Sequence, residues 1–337
     1  MKVIIDAFGG DNAPLAVLKG SILSVKENPD INIAFVGNED KIKKSAEENG
    51  LDISGFEIFH ADSELTMEDD PGAVLKEKKD SSMAVGLKLV SEGKGDAFVS
   101  AGNSGAITLG ATIIVKRIKG VKRPAFAPIM PTSGGPFMLI DGGANVEVRP
   151  EMLRQFAIMG SVYMEKILGI ENPKVVLANV GTEDHKGDTL RRETFALLKQ
   201  TDVNFVGNTE ARDIPTGIAD VVVADGFTGN IIAKMYEGAA KEIVGMFKGA
   251  FYKNFKTKLA ALMLKKEMYE LKQYFDYNRY GGAVVMGVNK PVFKAHGSAN
   301  EVAIAAAIKA AAEYAKTGAI ELIAKKIEEI NKQSTEG

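Results

Sequence analysis

Val221-Val222-Val223-Ala224-Asp225-Gly226-Phe227-Thr228-Gly229-Asn230-Ile231-Ile232 passes from a β-branched run, through a polar turn bearing glycines, into a helical pattern that continues to Phe247. Three valines in a row suit a strand buried on both faces. The same grammar recurs along the chain. Short apolar runs at 3–6, 31–36, 97–100, 138–141, 175–179, 203–206 and 221–225 read as strands. Helical patterns at 14–26, 41–49, 74–92, 106–117, 151–168, 189–199 and 231–247 lie between or after them. Further helices are expected at 303–314 and 320–330, followed by a frayed polar tail at 332–337. Strands alternating with helices of this length predict βαβ units and a mainly parallel sheet. No tandem repeat or low-complexity linker divides the chain, so 1–337 reads as one α/β domain with an elaboration.

The 337 residues are 45% hydrophobic and 26% charged with a net charge of −2, ordinary values for a globular protein. That balance gives no reason to expect nucleic acid, which calls for a basic excess. Cysteine is absent, which excludes disulfides, thiolate metal sites and a cysteine nucleophile. With His60, His185 and His296 as the only histidines, a three-histidine zinc site is discounted, and no metal or cofactor is expected. Asp6 and Gly9-Gly10-Asp11 interrupt the N-terminus before any signal-peptide core forms, and no run approaches the length of a membrane span. A cytosolic protein is expected.

Five expected strands exit into glycine-bearing polar loops: 6–11, 100–105, 141–145, 179–182 and 225–230. Ligands of open α/β sheets bind beyond the carboxyl ends of the strands, where glycines and helix N-termini favour anions. Five such loops point to one shared site. Gly102-Asn103-Ser104-Gly105, opening a helix, offers hydroxyl, amide and backbone donors, although Asn103 and Ser104 equally suit a cap. Lys294-Ala295-His296-Gly297-Ser298 sets a cation, an imidazole and a hydroxyl before the 303–314 helix, where they can bind an oxyanion or protonate a leaving group. The alternative is a structural histidine with Ser298 as cap. Asp6, Asp11, Asp141 and Asp225 at strand ends can orient cations or helix N-termini. Neither a dinucleotide fingerprint nor a nucleotide-triphosphate P-loop occurs.

Between 248 and 275, lysines 248, 253, 256, 258, 265, 266 and 272 face only Glu267 and Glu270. Phe251, Phe255, Leu259, Leu262 and Met263 share one helical face, and Leu264, Met268, Leu271 and Phe275 widen it. A basic amphipathic helical hairpin of this kind suits an anionic membrane surface or an acidic partner through Lys253, Lys256, Lys258, Leu259, Leu262, Lys265 and Lys266. The competing reading is a hairpin packed on the core or on a second copy.

Taken together, Asp6-Ala7-Phe8-Gly9-Gly10-Asp11-Asn12-Ala13-Pro14, Lys79-Asp80-Ser81-Ser82-Met83, the 100–106 loop, Gly143-Ala144-Asn145-Val146, Asp225-Gly226-Phe227-Thr228-Gly229-Asn230, Tyr280-Gly281-Gly282-Ala283 and 294–298 carry a pattern. In this order, over nearly the whole length, the chain resembles the acyl-ACP:phosphate acyltransferase family of phospholipid synthesis. It departs from the family pattern at Thr182-Glu183-Asp184-His185-Lys186-Gly187 and at Ala299. The resemblance implies a three-layer α/β/α sandwich similar to the isopropylmalate dehydrogenase and phosphate acetyltransferase fold. It implies a homodimeric cytosolic enzyme that touches the inner face of the membrane. It also implies transfer of a long acyl chain from acyl carrier protein to inorganic phosphate, the product passing to a glycerol-phosphate acyltransferase. On this reading Gly102, Asn103, Ser104 and Gly105 bind phosphate with Asn230, Asp225 and Gly226 belong to the substrate loop, and Lys186 is a second phosphate contact. Lys294 and His296 then serve the oxyanion and the leaving group.

Overall fold

The computed structural model describes residues 1–268 and 280–336. Glu270, Leu271, Lys272 and Phe275 of the basic segment lie outside the described residues. Its strands are β1 (Lys2–Asp6), β2 (Asn32–Gly37), β3 (Glu57–His60), β4 (Ala97–Ser100), β5 (Ala125–Thr132), β6 (Gly135–Ile140), β7 (Val175–Ala178), β8 (Phe205–Thr209), β9 (Val221–Val223), β10 (Ala283–Met286) and β11 (Val292–Lys294). Its helices are α1 (Leu15–Glu27), α2 (Glu39–Glu48), α3 (Ser82–Ser91), α4 (Ser104–Gly110), α5 (Pro150–Leu168), α6 (Thr189–Leu198), α7 (Gly226–Phe251), α8 (Phe255–Met263), α9 (Glu301–Lys316) and α10 (Ala319–Glu336).

All eleven strands form one sheet in the order β3-β2-β1-β4-β11-β10-β5-β6-β9-β7-β8. The sheet carries separate apolar clusters, one joining α1, α5 and α9 to its strands and another joining α3 and α4. Valines of β9 and the apolar residues of β1 are buried on both faces, as a covered sheet demands. The expected α/β architecture with a mostly parallel sheet is present.

Direction within the sheet differs from the expectation. β3, β2, β1, β4 and β11 are mutually parallel, and so are β6, β9, β7 and β8. Between the two flanks, β11–β10, β10–β5 and β5–β6 are each antiparallel. Three reversals leave the flanks running in opposite senses. The loops after β1, β4 and β11 therefore open at one end of the sheet, and those after β6, β7 and β9 at the other. One mouth shared by five loops is overturned. One of the three reversals is local: Thr132 pairs with Gly135 across a tight Ser133-Gly134 turn, making a β5–β6 hairpin in which Pro131 faces Pro136.

Smaller differences have equally local causes. The helix expected over 74–92 is a 3₁₀ turn at Pro71–Leu75 and then α3, because Ser81 caps a new start by accepting from the Ala84 N–H. The tail expected from Lys332 lies within α10, where Lys332 pairs with Glu328 one turn back. The basic segment does not begin as a separate hairpin. α7 continues unbroken to Phe251, and Asn254 starts α8 with a reciprocal capping box to Thr257.

Candidate active site

At the first end of the sheet, the loops after β1, β4 and β11 touch. Asp11 N–H donates to the Gly297 carbonyl, and Asn12 Nδ2 donates to the carbonyls of Ser298 and Ala299. Beneath them Asp6 accepts a 2.7 Å hydrogen bond from Ser100 Oγ, which itself accepts from the Gly102 N–H at 3.0 Å. Burial pushes the Asp6 carboxyl above its ordinary range, against the pull of its Ser82, Ser100 and Phe8 donors. The Gly102 amide is thus spent inside the loop. Asn103 is spent too: its Oδ1 caps α4 at the Ala106 N–H, and its Nδ2 donates to the carbonyls of Met67 and Asp69. The capping reading of Asn103 is the one its contacts fit. The backbone N–H groups of Ser104 and Gly105, both exposed, have no partner among the described residues.

Lys294 is 7% exposed and donates to the carbonyls of Ala101 and Ala295, at 3.5 and 2.7 Å. Desolvation lowers its pKa to about 8, with Asp11 opposing. It clamps the β4 and β11 loops with a charge beneath them. His296 is half-buried. Its Nδ1 accepts from the Ser298 N–H at 3.3 Å and lies 2.8 Å from Ser298 Oγ, so its ring proton sits on Nε2. Nε2 faces Glu237 Oε1 of α7 at 3.6 Å.

At the opposite end, strand-end acids hold loops together. Asp141 accepts from the N–H groups of Phe126, Gly143, Ala144 and Asn145 and from Asn145 Nδ2. Asp225 caps α7 through the Thr228 N–H, accepts from Thr228 Oγ1, and pairs with Arg191. The Gly226 N–H donates to the Asn145 carbonyl at 2.7 Å. Asp225 and Gly226 are both buried, and these bonds hold their loop against Asn145 and Arg191. A Cβ on Gly226 or Gly229 would strike the backbone at Asn145 or Asp141, so these glycines serve close approach of chain to chain. Asn230 differs. Half-buried beside Gly143, its side-chain amide has no partner among the described residues. Lys186 is exposed, its Nζ 3.9 Å from Glu183.

α7 connects the two ends. It starts after β9, returns along the sheet with Tyr236 Oη donating to the Pro131 carbonyl of β5, and meets His296 at Glu237. Asn230 and Glu237 are seven residues apart on one helical face, roughly 10 Å along the axis. Expected catalytic residues thus sit at two stations of one helix rather than around one loop cluster. Glu237 and Arg191 are further residues the fold brings against the expected ones, at His296 and Asp225, and motif reading passed them over. The i, i+7 spacing from Asn230 offers a sequence signal for Glu237, and nothing local marks Arg191. No three His, Asp or Glu side chains gather to hold a metal among the described residues.

α8 buries none of its residues. Phe255, Leu259, Leu262 and Met263 are exposed beside Lys253, Lys256, Lys258 and Lys265, so among the described residues this face does not pack on the core of the same chain. Among the described residues no helix is long and apolar enough to cross a membrane.

A family described as "Fatty acid synthesis protein" matches residues 1–322. The chain is 47% identical over 323 residues to a protein named "Phosphate acyltransferase" from Acetivibrio thermocellus, covering 96% of this chain and 95% of that one. It is 46% identical over 330 residues to a protein of the same name from Bacillus licheniformis, covering 98% and 99%. Among solved structures, a phosphotransacetylase from Streptococcus pyogenes superposes with a TM-score of 0.64 at 18% identity over 94% of each chain. One from Staphylococcus aureus gives 0.61 at 19% identity over the same shares. These two likenesses concern the fold.

Proposed function

The chain belongs to the phosphate acyltransferase family, and from that premise we propose that it moves a long acyl chain from acyl carrier protein to inorganic phosphate, releasing the carrier thiol. The observation that carries this reading is the 47% identity over 96% of the chain to a phosphate acyltransferase. The chemistry suits a chain without cysteine. Phosphate is anionic at neutral pH and attacks a thioester directly. The leaving thiol has an ordinary pKa near 8.5, so it needs little help from an acid. What remains for the protein is positioning and stabilisation of the tetrahedral oxyanion, where one lost donor typically costs about 3 kcal/mol in the barrier.

The free N–H groups of Ser104 and Gly105, at the mouth above the buried Lys294 charge, are the proposed phosphate donors. His296, oriented by Ser298 and Glu237, is proposed to serve the oxyanion or the leaving sulfur. Asn230 and Lys186 are proposed as the polar contacts of the donor further along α7. A substrate lying on that helix touches both stations.

The exposed basic and apolar surface of α8 supports contact with an acidic carrier protein and with the anionic inner face of the membrane. A homodimer, a cytoplasmic location and delivery of acyl phosphate to a glycerol-phosphate acyltransferase complete the proposal. The test is to incubate the protein with long-chain acyl carrier, with and without phosphate, and to trap product with hydroxylamine. Phosphate-dependent hydroxamate is expected. Hydroxamate formed equally without phosphate rejects the reading, and formation from acetyl-CoA alone moves it to short-chain transfer.

A further inference from the structure

Lys116-Arg117-Ile118-Lys119-Gly120-Val121-Lys122-Arg123, the turn that leads into β5, holds five cations and no acid. Its apolar members point inward. Ile118, Val121 and the following Pro124 are buried, while all five cations are exposed. The backbone between them is fixed. The Ile118 N–H donates to the Gly287 carbonyl and the Asn289 N–H to that of Lys116, each at 3.0 Å. The buried Gln155 of α5 clasps the turn, accepting from the Lys122 N–H at 2.8 Å and donating to the Gly120 carbonyl at 3.0 Å. Arg117 closes it from within by donating to the Lys122 carbonyl. The side chains of Lys116, Lys119, Lys122 and Arg123 form no ion pair among the described residues. Glu328 of α10, whose carboxyl feels Lys119, is already paired with Lys332. Four cations on a braced turn, without counter-charges of their own, attract an anionic partner.

The turn stands at the end of the sheet where Asp141 and Asp225 hold their loops. The Pro124 carbonyl accepts from Asn145 Nδ2 at 2.7 Å, and the Asn145 carbonyl accepts from the Gly226 N–H, one helical turn before Asn230. A partner on the turn therefore lies beside the mouth that holds Asn230. Two isolated apolar side chains accompany the charges: Ile113, three positions before Lys116, is 54% exposed, and Val146, next to Asn145, is 64% exposed. Charges around a few apolar points suit a protein interface. A lipid surface calls for a continuous apolar face, which the buried Ile118 and Val121 do not supply.

We propose that the 116–123 turn docks the acidic surface of the carrier protein and so brings its thioester arm to the Asn230 mouth, a proposal that rests on the acyl-transfer reading. Lys119→Glu with Lys122→Glu reverses two exposed charges, and Lys119→Gln with Lys122→Gln only removes them. The first readout is binding of unacylated carrier protein by fluorescence anisotropy at low and high salt. A loss of about tenfold or more in the Glu pair, a smaller loss in the Gln pair and convergence at high salt are expected. The second is turnover with phosphate, where KM for palmitoyl carrier rises by about tenfold in the Glu pair at an unchanged kcat. Equal carrier binding by all three proteins overturns the proposal. So does a loss seen only when Lys256 and Lys258 of α8 are reversed instead. Retained carrier binding with lost affinity for phosphatidylglycerol vesicles gives the turn to the membrane and overturns it as well. The two claims fail separately. Carrier bound through this turn with no acyl transfer by the unaltered protein leaves the docking surface standing and removes the acyl-transfer reading. Transfer with an unchanged KM in the Glu pair removes the surface and leaves that reading intact.

Discussion

Lys294 carries its charge where water is scarce, and the consequence can be read in two opposite directions. Its pKa of about 8 lies well below the ordinary lysine value of 10.5 because burial disfavours the ammonium. Below pH 8 the folded and unfolded chains both hold that proton. Between pH 8 and 10.5 the unfolded chain holds it and the folded chain has lost it, so this residue adds stability as pH rises. Activity should move the other way. Once the ammonium is gone, the clamp on Ala101 and Ala295 weakens and the charge beneath the proposed phosphate mouth disappears. The expected result is a decline of kcat/KM above pH 8 without loss of folded protein, and no such limb in Lys294→Met. A profile flat to pH 9.5 would take Lys294 out of the site. At this scale the sequence shows the strand-end acids well. Asp225 starts α7 and pairs with Arg191, while Asp6 and Asp141 tie neighbouring loops to their strand ends. Glu237 is harder to see, because its importance comes from a histidine 59 positions away that only the fold brings near.

The amphipathic pattern of the basic segment marks α8 correctly as a surface with an apolar face, because exposed lysines and phenylalanines at helical spacing need no tertiary context to be recognised. Its origin is less legible. Nothing at residue 248 announces that α7 simply keeps going, since helix propensity is continuous there. Reversing charge at Lys256 and Lys258 to glutamate should weaken binding to acyl carrier protein or to anionic vesicles by tenfold or more at low salt, with little effect at high salt. Equal binding at both salt concentrations would assign α8 to contact between copies. The hairpin of β5 and β6 hides for the opposite reason. Pro131 and Pro136 depress any strand reading, yet they face one another where neither must donate to the ladder.

Across the whole molecule, local alternation of strand and helix reveals the fold class but not the sense in which the two flanks run. That depends on three antiparallel pairings at the centre of the sheet, of which β10–β5 joins segments far apart in the chain. The inversion moves the glycine-bearing loops to two mouths, with α7 running between them. The proposed transfer requires that phosphate meet the thioester while both are bound, with no acyl group ever carried by the polypeptide. The intact mass of the protein, quenched in acid during steady-state turnover of palmitoyl carrier and phosphate, tests this directly. Direct attack yields the unmodified mass at every time point. A population heavier by one palmitoyl group, formed and consumed at the turnover rate, would contradict it.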